Sequence, residues 1–181
     1  MQRQFRDPPP RLLTEPGALG RLFAGCCESA FETELGLVDP PVVDYMADLL
    51  MRFLHSDALT QIRNPAGSIL TGFLDLKQEA EARTGKARRE LLRHIGDLTL
   101  FWTGVYPERL PKLLAPFDAG RTDGLLDLPS VGRRSYRLAA DNETIAESRS
   151  LLARIADEYD VCRDGLLLAR RSWENMGRSA A

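Results

Sequence analysis

Histidine, cysteine and lysine are all scarce in this chain of 181 residues. Two histidines and three cysteines cannot supply the spaced four-ligand sets of a zinc site. Cys26, Cys27 and Cys162 do not form a disulfide framework either, because two of them are adjacent. Reduced, buried thiols and a cytoplasmic setting are the expectation. The phosphate loop, the GxGxxG turn, the nucleophile elbow and the HExxH pair are absent from the sequence. A di-iron bundle needs two Glu-x-x-His pairs, whereas Glu90 precedes His94 by four residues and no second pair exists. No catalytic residue, metal ligand set or cofactor is therefore assigned.

Long apolar runs are missing too. A membrane-spanning helix needs about 20 apolar residues. The longest stretch here, Leu98–Tyr106, is interrupted by threonine and glycine. The opening segment, MQRQFRDPPPR, has no apolar centre, so a signal peptide is not expected. Nor is there an excess of one charge. Lys and Arg total 24 against 26 Asp and Glu, and neither half of the chain is basic. General electrostatic binding of nucleic acid is thus disfavoured.

What remains is an ordinary apolar content of 44%, enough in a chain of this length to bury one core. Its apolar residues recur at helical spacing, and the reading is all-α: a single-domain irregular bundle of about six helices. Residues 1–11 form an arm, 12–176 the helical domain and 177–181 a fraying tail. The first helix spans Leu12–Leu35, with Thr14 as its cap and Gly36 as its stop. Asp39-Pro40-Pro41 marks the start of a second, Pro40–His55, because aspartate caps and proline suits a first turn. A third covers Ile69–Arg83 and a fourth Lys86–Tyr106. The cations opening the fourth helix oppose its dipole and should meet acids such as Glu79 or Glu81. Its Gly96 and Gly104 imply that a neighbour approaches closely there. The stretch 107–129, rich in proline and glycine, is long for a connection and is suspected as a lid or an interface arm. A fifth helix follows at Pro129–Ala140.

The last helix opens with a Thr144/Glu147 capping box and continues to Glu174. It would then be about 46 Å long, in a chain about 41 Å across. Either Gly165 breaks it or its end pairs with another copy.

Two patches stand out. In the fourth helix, Glu90, His94 and Asp97 are spaced to share one face. A histidine beside a carboxylate suits a general base or a metal ligand, but a structural role is preferred. A carboxylate among apolar residues is costly unless paired, so an arginine from elsewhere should meet Asp97. The second patch carries Arg133, Arg134 and Arg137 around Tyr136. It is the densest basic spot in the chain, suited to a phosphate, an acidic partner or an internal carboxylate.

His94-Ile95-Gly96-Asp97, Thr99-Leu100-Phe101, Gly104 and Pro107-Glu108, with Gly132 and Ser135-Tyr136 later, resemble a pattern found in uncharacterised bacterial all-helical proteins. The resemblance implies a bacterial origin and one site built from both patches; it transfers no activity. The leading functional reading is a non-enzymatic cytoplasmic interaction or scaffold protein that self-associates through its last helix. The alternative is a small-ligand or anion-binding bundle using His94, Asp97, Tyr106, Arg133, Arg134 and Tyr136.

Overall fold

Asp39 does what its place before two prolines predicts. Its carboxylate accepts from the Val42 N–H at 3.4 Å, and its carbonyl accepts from the Val42 and Val43 N–H groups. The helix so started, α2, runs Pro40–His55. The computed structural model describes residues 17–55, 73–110 and 127–179. Within them lie α1 (Ala18–Glu28), which continues as a π-helical turn at Ser29–Glu34, then α2, α3 (Phe73–Ala82) and α4 (Gly85–Gly104). A 3-10 turn at Pro107–Arg109 follows, then α5 (Leu128–Asp141), α6 (Ala146–Asp157) and α7 (Tyr159–Ser179). The described residues contain no strand, and none of their helices is long and apolar enough to cross a membrane. The arm, the Thr14 cap, the start of the third helix and most of the suspected lid lie outside the described residues.

One core holds the helices together, and α4 is its axis. Leu91, Leu92, Ile95, Leu98, Leu100 and Phe101 are all buried. Helix α5 lies against it, with α7 also in contact. The glycines explain how closely they fit. A Cβ on Gly96 would stand 2.9 Å from the Tyr136 ring of α5, and one on Gly104 3.0 Å from the Arg163 carbonyl of α7. On α5, a Cβ at Gly132 would lie 2.2 Å from the Thr99 hydroxyl and 2.3 Å from that of Tyr159. The two sequence patches therefore pack directly on one another.

Three expectations need correction. The expected long C-terminal helix is present as α7, but it does not reach back to Thr144 and the break is not at Gly165. The expected span breaks at Glu158, whose N–H still donates to Arg154, and α7 starts at Tyr159. No glycine or proline marks that point. The break coincides with the seating of Tyr159 in the Gly132 notch, its hydroxyl 3.2 Å from Thr99, so tertiary packing sets it. Gly165 instead receives the ring of Phe31, 2.2 Å from where a Cβ would stand.

The capping box is also replaced. Glu143 accepts from the Thr144 and Ile145 N–H groups at 2.8 and 3.1 Å, because its carboxylate is held buried beside Arg89 at 3.2 Å. The same pair answers the third expectation. Of the cations opening α4, Arg89 meets Glu143 and Lys86 meets Glu90 one turn on, not Glu79 or Glu81. Glu79 is taken by Arg83 on its own helix, at 2.6 Å.

Candidate functional site

Two polar clusters lie on either side of the α4–α5 contact, and they differ in how completely their hydrogen bonds are made. The first surrounds Asp97, which is 1% exposed. Its carboxylate accepts from the Tyr45 hydroxyl at 2.6 Å, the Tyr136 hydroxyl at 2.7 Å and Arg52 Nη1 at 2.9 Å. Tyr45 and Arg52 stand seven residues apart on α2, and Tyr136 comes from α5. One carboxylate thus ties three helices. Burial, then the nearby Asp97 charge, hold both phenols well above the usual tyrosine range. Both phenols therefore remain hydrogen-bond donors to the carboxylate.

The arginine expected at Asp97 is Arg52, not one of the α5 arginines. Arg133 pairs with Asp160 at 2.6 Å and Arg137 with Asp157, both on the surface. His94, one turn before Asp97, is half-buried against the Phe53 ring, with centroids 5.9 Å apart. Its imidazole has no hydrogen-bond partner among the described residues, and burial pulls its pKa below the usual histidine value. Glu90, far from sharing a buried face with them, is exposed. Tyr106 lies beyond the end of α4, its ring between the guanidinium groups of Arg109 and Arg170 at 4.7 and 4.5 Å. Of the six residues singled out, the structure joins Asp97 and Tyr136. It leaves His94 adjacent and unbonded, and places Tyr106 and Arg133 elsewhere. Arg134 belongs to the second cluster.

That cluster lines a cavity of about 390 Å³ between α3, α4 and α5, partly open to solvent. Its walls are aliphatic: Ala80, Leu92, Ile95, Val131 and Leu138. Three cations, Lys77, Arg88 and Arg134, face it alongside Glu81 and Asp127. Asp127 already caps α5, accepting from the Ser130 N–H at 3.2 Å and from its hydroxyl. These bonds hold its carboxyl below the usual range.

Among the described residues, Arg88 stands out for a polar atom left unmet in the interior. Its Nε is buried and lacks a hydrogen-bond partner. The other such nitrogen, on Arg154, lies 2.8 Å from the Asp39 carboxylate and is charge-paired. Among the described residues, Arg88 has no acid within ion-pair distance. Ser135, a buried residue, also lines the cavity. Leaving a buried donor unmet costs about 1–3 kcal/mol, and buried polar groups in folded proteins are nearly always bonded. A cavity that keeps such a donor at its edge is suited to an anion arriving from outside.

Sequence reasoning missed Tyr45, Arg52, Arg88 and Ser135. The first two had a signal, a polar pair at i and i+7 bordering an apolar helix face. The others had none, because the cavity is assembled from three helices. No family model, no curated protein and no solved structure matches the chain.

Proposed function

We propose that the chain is a ligand-binding helical bundle that takes a small amphiphilic anion into the α3–α4–α5 cavity. The observation that carries this is the unmet Arg88 Nε beside aliphatic walls. Binding sites of this kind are concave and mostly apolar, with a few polar groups that orient the ligand, and start at about 300 Å³. An anion on Arg88 supplies the missing acceptor, and an apolar body displaces water from Leu92 and Ile95. The alternative anticipated from sequence thus keeps its chemistry and Arg134, but moves one helix face away from Asp97. Three free, buried cysteines support a reducing compartment such as the cytoplasm.

Self-association rested on a single helix longer than the molecule, and the break at Glu158 removes that argument. A light-scattering dilution series tests it independently.

The binding reading is tested by methyl NMR with a panel of eight-carbon carboxylates, sulfonates and phosphates. Shifts should concentrate on Leu92, Ile95, Val131 and Leu138, while methyl groups elsewhere stay still. If no member of the panel moves those four, the reading is wrong.

A further inference from the structure

The cavity's charge pattern narrows the ligand further, on the premise that the cavity binds an anion at all. We propose that the ligand is an aliphatic monocarboxylate, its carboxylate held by Arg88 with Arg134 and Lys77 around it and its chain along Leu92 and Ile95.

Three observations select this class. The first is charge. Among the described residues, Lys77, Arg88 and Arg134 against Glu81 and Asp127 give three positive and two negative side chains, a net of +1. A monoanion neutralises that surplus. A phosphate monoester, near −2 at neutral pH, overshoots it and meets two carboxylates.

The second is the α5 N-terminus. Phosphates favour helix N-termini, where free N–H groups and the dipole meet them. Here Asp127 fills that position through Ser130, so the phosphate place is taken by the protein's own carboxylate. The remaining donors at the cavity are the guanidinium groups of Arg88 and Arg134, each of which matches a carboxylate's two oxygens in a planar fork, and the Lys77 ammonium.

The third is the wall. Among the described residues its apolar members are Ala, Leu, Ile and Val, with no aromatic ring to stack on a planar ligand. At water's share of about 30 Å³ per molecule, 390 Å³ holds about a dozen non-hydrogen atoms. That is a carboxylate with an alkyl chain of about eight to ten carbons.

The test is calorimetry at fixed ionic strength, below micelle formation, with three probes that share a chain: octanoate, octyl phosphate and 1-octanol. Octanoate should bind one to one, with each of the others at least ~10-fold weaker. Arg88→Met should weaken octanoate by about 10- to 100-fold, the worth of a hydrogen bond to a charged group, while leaving octanol unchanged. Arg134→Gln, an exposed position, should weaken it by a smaller factor, which keeps the test open should Arg88→Met not fold.

Octyl phosphate binding as tightly as octanoate would overturn the carboxylate assignment and leave the cavity reading standing. The same holds if octanol matches octanoate. Octanoate binding that is unchanged in both variants would overturn the placement on Arg88. If no probe binds, the cavity reading itself fails, and this inference with it.

Discussion

Replacing Asp97 by asparagine should destabilise the protein far more than its small change in size suggests. The substitution keeps the volume, so no cavity opens, and isolates the charge and its bonds. Three donors reach this carboxylate at 2.6–2.9 Å. Hydrogen bonds to charged groups are each worth about 1.5–3 kcal/mol. Simple addition overstates the loss, because the asparagine oxygen still accepts one bond and Arg52, 37% exposed, recovers part of its hydration. Breaking a buried pair by removing one member costs about 3–5 kcal/mol. With Arg52 discounted for exposure, about 3 kcal/mol is expected. Against a total stability of about 5–15 kcal/mol, that is a large fraction.

Urea unfolding followed by far-UV circular dichroism reads it. With an m-value of about 2 kcal/mol per molar, the midpoint should fall by about 1.5 M at unchanged m. Tyr136→Phe and Tyr45→Phe should each cost less, about 1.5 kcal/mol, and couple strongly to Asp97→Asn in double-mutant cycles. Replacing all four members by apolar residues of similar size should recover much of the loss, since the cost comes from orphaned partners. An Asp97→Asn midpoint within ~0.3 M of wild type would refute the view that this cluster joins α2, α4 and α5.

The packing of α4 on α5 predicts that Gly132→Ala costs about 1–3 kcal/mol, because its Cβ meets two hydroxyl groups. Gly25→Ala on exposed helix, with nothing within 4 Å, should instead stabilise by up to about 1 kcal/mol; equal effects on the unfolding midpoint would contradict the geometry. Burial pushes the Cys27 and Cys162 thiols up to about 12 and raises Cys26. A thiol reagent at pH 8 should therefore leave the native protein unmodified and label all three after denaturation. His94 should titrate below the ordinary 6.5, read from its ring proton by NMR. The unfolded chain then binds the proton first as pH falls. Stability should be full above about pH 6.5 and decline below it, and His94→Gln should abolish that part of the slope.

Local chemistry was the readable part of this fold. Helix α2 begins where its Asp-Pro-Pro start says, at Pro40, and keeps its apolar spacing through the described residues. Gly36 takes the left-handed conformation (φ +70°) expected of a helix stop. Signals of this kind depend on neighbours in sequence. The break at Glu158 depends on Gly132 and Thr99, which are remote in the chain, and no residue at 157–159 betrays it. Asp97 illustrates the boundary between the two. Its burial among apolar residues dictated that a guanidinium come to it, and the α5 arginines were the candidates the sequence offered. The choice of Arg52 follows from how α2 lies against α4. The α5 patch contributes its tyrosine instead, and its outer arginines face the acids of α6 and α7.

The same boundary separates the conspicuous cluster from the one proposed to bind. Histidine, aspartate, tyrosine and arginine in two short patches read as chemistry, yet Tyr45, Arg52 and Tyr136 all spend a donor on the Asp97 carboxylate inside the protein. A set so complete has little left to offer a ligand. In sequence Arg88 is one of several cations in the first turns of an amphipathic helix, expected only to meet an acid. In the fold it keeps a buried N–H without an acceptor, beside a space large enough to fill. Function in such a bundle is better sought where the interior's hydrogen bonding is left incomplete than where polar residues are densest. If Arg88 is kept for a ligand, Arg88→Met should make the empty protein more stable, by about 1 kcal/mol, while weakening binding. A structural role for Arg88 predicts the opposite sign, and thermal unfolding without ligand separates the two.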